Sequence, residues 1–155
     1  MAHDRNDDVV ELEIWIAASP AVVYPFLTDQ DRLVRWMGIA AKIEALPGGI
    51  FRIDVNGRDV VRGEFVDLIP DRRVVFSWGW EGSEHGIKPG STTVSIELEP
   101  ERGGTRLRLR HTGLRGDNRE KHARGWEHHT ARLKTVAEGG DPGPDPLATL
   151  DVRHG

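Results

Sequence analysis

His122, Trp126, His129, Leu133 and Val136 are spaced by alternating steps of four and three. On a helix read from Asn118 to about Ala137, that spacing places them along one stripe. A stripe that should be plain hydrophobic core thus carries two imidazoles and an indole. The strand before it, Thr105 to His111, puts Leu107, Leu109 and His111 on one face, because side chains alternate across a strand. A third imidazole therefore points inward. Imidazoles donate, accept or shuttle protons near neutral pH, and an indole offers a wide apolar face with one N–H donor. The chemistry in reach is recognition of a small, partly apolar, hydrogen-bonding molecule, or general acid–base work on one. The plain alternative for each ring is a core side chain satisfied by a neighbouring carbonyl.

Further candidates flank this stripe. Val74, Phe76, Trp78 and Trp80 form one face of another strand, with Trp80 nearest a loop and so at the mouth of any cavity. Trp36, at the end of a short helix, is placed to close the cavity end. His128 lies about 100° around the helix from His129, which puts it at the rim or in solvent. His122 and His129 are about 10.5 Å apart along the axis, too far for one zinc ion with bonds of ~2.1 Å. No metal and no cofactor is expected. Arg106, Arg108 and Arg110 stand on the face opposite Leu107 and Leu109, as Glu97 and Glu99 stand opposite Ile96 and Leu98. A solvated cross-strand charge ladder accounts for them. Glu64 follows Gly63, where a bend could turn the acid inward. No nucleophile–base–acid set is legible.

The elements that must position these residues follow from periodicity. Val10, Leu12, Ile14 and Ile16 alternate with polar residues and Trp15, a half-buried first strand. Ser19 and Pro20 open a short helix to about Leu27, serine as N-cap and proline at the first helical position. Thr28 or Asp29 caps a second short helix through Trp36. Strands are then expected over 40–46, 50–55, 60–69, 73–80, 92–99 and 105–111. Turn signals separate them, Asn56-Gly57 being the clearest, a type I′ pair. Residues 81–90 read as a polar loop. Asp117 and Glu120 resemble a capping box at the start of the long helix, and Gly139-Gly140 ends it. The fold class is α+β: a seven-stranded, curved antiparallel sheet around a long C-terminal helix, with two short helices after the first strand. The expected domain is 9–139, with flexible termini at 1–8 and 140–155, the latter rich in proline.

Composition sets limits on function. The 155 residues suffice for one domain with a real core. A net charge of −4 argues against a nucleic-acid surface. There is no cysteine, so disulfides and thiolate chemistry are excluded. The polar N-terminus does not read as a signal peptide, and no apolar run approaches the ~20 residues of a membrane helix. A cytoplasmic protein is expected. Trp15, on the outer face of its strand, marks a candidate homodimer surface.

Several motifs in this order resemble a known family. They are Ser19-Pro20 with Val23-Tyr24, Leu27-Thr28-Asp29, Leu33 and Arg35-Trp36; then Pro47 to Arg52, Gly63-Glu64-Phe65, and Pro70 with Arg73 to Trp78. Gly103 to Leu107, Gly125-Trp126-Glu127-His128 and Leu133 complete the set. Together, over roughly 9–139, they resemble a START-like (SRPBCC) domain, more narrowly the homologues of the activator of the heat-shock-protein ATPase. The resemblance implies a helix-grip fold. It also implies a cavity between helix and sheet, since members bind lipids, polyketides, hormones and aromatic compounds, and some are cyclases or hydrolases. The implied partner is a small hydrophobic or aromatic ligand, with a chaperone as the other partner class. The resemblance and the stripe together give Trp126, His122, His129, His111, Trp78, Trp80, Trp36 and Phe76 as ligand-binding candidates. Where relatives commonly carry an aromatic residue after Trp-Glu-His, this chain has His129, which makes the cavity wall more polar.

Overall fold

The protein is seen as a computed structural model that describes residues 8–82 and 85–149. Residues 1–7 and 150–155 of the expected flexible termini lie outside the described residues. Strand β1 (Val9–Ile16) is followed by helices α1 (Pro20–Thr28) and α2 (Gln30–Leu33). Strands β2 (Ala40–Ile43), β3 (Ile50–Asp54), β4 (Val60–Ile69), β5 (Arg73–Trp78), β6 (Thr92–Glu101) and β7 (Gly104–Thr112) come next. Helix α3 (Asp117–Ala137) and a 3-10 turn (Pro146–Thr149) complete the order. One seven-stranded antiparallel sheet has the order β1-β7-β6-β5-β4-β3-β2.

Alternation decides which side of each strand is buried. Leu107 and Leu109 pair with Ile14 and Leu12 on one side and with Leu98 and Ile96 on the other, so one face is a continuous apolar layer. On the opposite face Arg106 and Arg108 meet Glu13, and Arg110 meets Glu11, forming the expected ladder. The register shifts between Phe65 and Asp67, a bulge that sharpens the bend of β4 against β5. Glu64 stays exposed, so the bend does not turn the acid inward.

α3, about 30 Å long, lies across the apolar face with His122, Trp126, His129, Leu133 and Val136 buried. Polar ties fix both its ends to β1 and the residues just after it. Arg119 Nε donates to the Val9 carbonyl (2.8 Å), and Lys134 Nζ donates to the Trp15 carbonyl (2.8 Å). Glu138 accepts from the Ala17 amide (2.8 Å). The helix-grip arrangement is therefore present, and no helix among the described residues is long and apolar enough to cross a membrane.

Local details differ from expectation where tertiary geometry takes over. Asp29 caps α2 by accepting from the Arg32 amide, whereas Ser19 makes no side-chain cap to α1. The capping box does not form: Gly116, at φ 57, is the N-cap of α3, so Asp117 is already in the first turn. Asn56-Gly57 is not a type I′ pair, since only Gly57 has positive φ. Asn56 Oδ1 instead accepts from the amides of Arg58 and Asp59, a wider Asx-type turn. Trp15 is half-buried and used within the chain. Its Nε1 donates to the Glu101 carbonyl (2.8 Å), and Lys134 and Arg102 lie 5.5 and 5.8 Å from its ring.

Gly63 lets β4 approach β5, because a Cβ there would sit 1.8 Å from the Ser77 carbonyl oxygen. Gly63→Ala should therefore cost about 1–3 kcal/mol, the range for over-packed interiors. Urea denaturation measures it, and an unchanged midpoint would mean the strands part freely at this point.

Candidate functional site

Two indole-to-imidazole hydrogen bonds organise the space between α3 and β5. Trp126 Nε1 donates to His111 Nδ1 at 3.0 Å. An indole nitrogen can only donate, so His111 carries its proton on Nε2. That N–H meets Thr92 Oγ1 at 2.8 Å, and the threonine hydroxyl donates onward to the Trp78 carbonyl at 2.8 Å. In the second bond Trp80 Nε1 donates to His122 Nε2 at 3.1 Å. His122 Nδ1 must then hold the proton, which it gives to the Asn118 carbonyl at 2.7 Å. Both imidazoles are neutral and each has both nitrogens engaged.

Their surroundings enforce neutrality. Burial drives His111 down to about 3, with His122 close by adding to the effect. Burial also lowers His122, partly opposed by its bond to the Asn118 carbonyl. His129 is lowered by burial too, while Asp145 pulls the other way. Around Trp78 the His111 and Trp80 rings pack edge to face with centroids 5.5 and 5.8 Å away, and the Trp126 ring is tilted against it at 5.0 Å. Trp78 is 2% exposed, and its Nε1 has no hydrogen-bond partner among the described residues.

A pocket of about 270 Å³ opens beside this cluster. Trp126, His122, His129, Trp78 and Trp80 all line it, and Gly125 of α3 adds an uncovered stretch of wall. His111, Trp36 and Phe76, expected to line or close the cavity, stand behind the wall instead. His111 is wholly buried, because the Trp126 indole lies between it and the open space. Phe76 stacks on Phe51 with centroids 4.0 Å apart, and Trp36 Nε1 is spent on the Phe26 carbonyl at 2.9 Å. Both are core.

The rest of the lining escaped the sequence reading. Asn56 and Asp59 come from the Asx turn, and His85 from the loop after β5. His85 stacks on Trp80 at 4.2 Å and pairs with Asp59 at 3.1 Å, joining the two loops. Asp59 lies below the usual carboxylate range: its burial acts upward, but bonds from Asn56 and His85 outweigh it. Met37, Asn118 and Lys121 add to the rim, as does Leu147 from beyond α3. The Asn56-Gly57-x-Asp59 turn signal was readable, but its place over the helix depends on the curl of β3 and β4. Leu147 carries no signal of its own.

The model of the family described as Activator of Hsp90 ATPase homolog 1-like protein matches residues 17–138. The human protein named activator of 90 kDa heat shock protein ATPase homolog 1 is 27% identical over 120 residues, which is 77% of this chain and 34% of that protein. The chain thus spans about a third of the length of the curated relatives it matches. The solution structure of an AHSA1-like protein from Rhizobium etli is 44% identical with a TM-score of 0.71, covering 90% of this chain and 87% of that one. The Aha1 dimer from Colwellia psychrerythraea is 25% identical with a TM-score of 0.73, covering 85% of this chain and 97% of that chain.

The neutral histidines make stability depend on pH in a definite direction. Their folded values lie below the unfolded value near 6.5, so the unfolded chain binds more protons as pH falls. The contribution of His111 and His122 is complete above about pH 6.5 and declines below it, by up to about 1.4 kcal/mol per unit for each ring. Urea midpoints should rise steeply from about pH 5 to 6.5, a window in which carboxylates are already ionised in both states. A flat profile there would contradict the assignment.

Proposed function

The chain belongs to the Activator of Hsp90 ATPase homolog 1-like family, and on that premise we propose that it binds a small, partly apolar molecule bearing a hydrogen-bond acceptor. The site is the pocket between α3 and β5. Trp78 carries the reading: it lines the pocket, and its buried indole N–H has no partner among the described residues. An unpaired buried donor costs about 1–3 kcal/mol. That nitrogen is itself covered, so pairing it with a guest's carbonyl or ether oxygen requires the neighbouring rings to shift, whereas a purely apolar guest would leave the cost in place. Trp126 and Trp80 supply flat apolar faces for the guest's rings.

His129 supplies the second polar contact. Its Nδ1 lies 3.4 Å from the Trp36 carbonyl, which can only accept, so the proton faces that oxygen and Nε2 keeps its lone pair. This pairing suits a guest with a hydroxyl beside its acceptor. His111 and His122 do not serve as acid–base catalysts in this reading, since neither has a nitrogen free to take a proton. At about 270 Å³ the pocket lies just under the roughly 300–1,000 Å³ of drug-sized sites. The guest is correspondingly small. The working compartment is taken to be the cytoplasm, and the dimeric Colwellia relative makes a homodimer the assembly to test.

The relatives' names support a second reading, a chaperone ATPase as partner. One variant separates the two. A Cβ on Gly125 would meet nothing within 4 Å, and Gly125 lines the pocket. Gly125→Leu should therefore fill the pocket while helix propensity leaves the fold intact or slightly firmer. Wild type should gain thermal stability from some member of a library of aromatic ketones, flavonoids and hydroxylated polyketides, and Gly125→Leu should gain none. A chaperone activator would keep its effect on ATPase rate in the variant. If no compound shifts the wild type, the binding reading fails.

A further inference from the structure

Past α3 the chain doubles back along the helix. Arg132 donates to the carbonyl oxygens of Pro142 (3.4 Å) and Gly143 (3.1 Å). Asp145 accepts from the Leu147 amide (2.9 Å), and Leu147 reaches the pocket rim. The Asp145 side chain, 8% exposed, turns back toward α3, with Oδ1 2.8 Å from His128 Nε2. The His128 and His129 ring centroids are 5.0 Å apart. One ligand-type atom from each of His128, His129 and Asp145 lies within 4.8 Å of the others.

We propose that His128, His129 and Asp145 form a binding site for one divalent transition ion of the zinc class, which fastens the segment after α3 across the rim of the pocket. Two imidazoles and a carboxylate are a donor set that suits Zn²⁺, Co²⁺ and Ni²⁺. Bonds of ~2.1 Å in tetrahedral geometry place ligand atoms about 3.4 Å apart. The His128–Asp145 pair is already closer than that, and the widest separation need close by no more than about 1.4 Å. His128 is half-buried and Asp145 lies in the irregular stretch just before a short 3-10 turn, so both can make that adjustment.

The surroundings match a metal site at its second layer. His129 is held through Nδ1 by the Trp36 carbonyl, the kind of partner that orients a ligating imidazole. Arg132 Nε stands 3.7 Å from Asp145 Oδ2, leaving Oδ1 as the oxygen nearer the histidines. The guanidinium opposes the ion's charge, which weakens binding relative to a closed structural site. Three protein ligands also leave a fourth position beside the pocket. The spacing that separates His122 from His129 does not apply here. His128 and His129 are adjacent on the helix, and Asp145 approaches from outside it. An ion on His129 Nε2 would occupy the lone pair assigned to the guest's hydroxyl, so that contact belongs to the metal-free protein. The ion's own binding needs no guest, and it would join α3 to Asp145, two residues from Leu147 on the rim.

The test uses untagged, full-length, metal-free protein titrated with Zn²⁺ by calorimetry and with Co²⁺ by visible absorption. One ion per chain is expected, with a Co²⁺ band of tetrahedral intensity and a higher melting temperature. Asp145→Asn should weaken Zn²⁺ binding at least about tenfold, the scale lost even when only an outer partner is removed. His128→Gln, a change on the half-exposed face of the helix, should do the same and decides the matter if Asp145→Asn disturbs the turn. Circular dichroism of both variants should match wild type. Absence of binding would overturn the proposal, as would Zn²⁺ affinity unchanged in both variants, which would place the ion elsewhere on the chain.

Discussion

The interior turns on one requirement: two indole N–H groups between a helix and a sheet, one buried and one partly so, must each find an acceptor. The acceptors are neutral imidazoles, His111 for Trp126 and His122 for Trp80. A protonated ring would have no lone pair to offer and would pay heavily for its charge in that environment. Burial lowers both histidines and so keeps them able to accept. The polar ties at Arg119, Lys134 and Glu138 hold the ends of α3, and these ring pairs hold its middle. With the helix fixed in this way, the space beside Gly125 follows, because no side chain projects from that turn to close it.

The same chain of bonds explains which aromatic residue is left over. Thr92 and His111 satisfy the Trp78 carbonyl and the Trp126 indole, yet the Trp78 N–H is missed by all of them. A core built only for stability would pair that donor or replace it with an apolar ring. The Trp78 N–H is thus the unpaired donor in a ring cluster whose other indoles are bonded. His129 puts a second polar side chain on the same pocket wall.

Much of this was legible in the residues because it rests on periodicity. The stripe from His122 to Val136 and the alternation along β4 and β7 depend only on helix and strand geometry, so their burial could be read directly. Chain reversals were less legible. The Asn56 side chain reshapes its own turn, and Gly116 displaces Asp117 from the cap. His111 was rightly placed inward, but its depth depends on how the Trp126 ring lies over it. Phe76 shares a strand face with a pocket residue and Trp36, expected at a helix end, lies in the turn after α2, which stops at Leu33; stacking and a bond to Phe26 keep both in the core. The segment after α3 reads as proline-rich coil, and only the folded arrangement brings Asp145 to His128.

The most direct measurement of the central pairing is the tautomeric state of the two imidazoles, read from long-range nitrogen–proton correlations by NMR at neutral pH. His111 should carry its proton on Nε2 and His122 on Nδ1, both as neutral rings. A charged ring at either position, or the opposite tautomer, would mean that the indoles are not bonded as described and that the pocket beside them is shaped by something else.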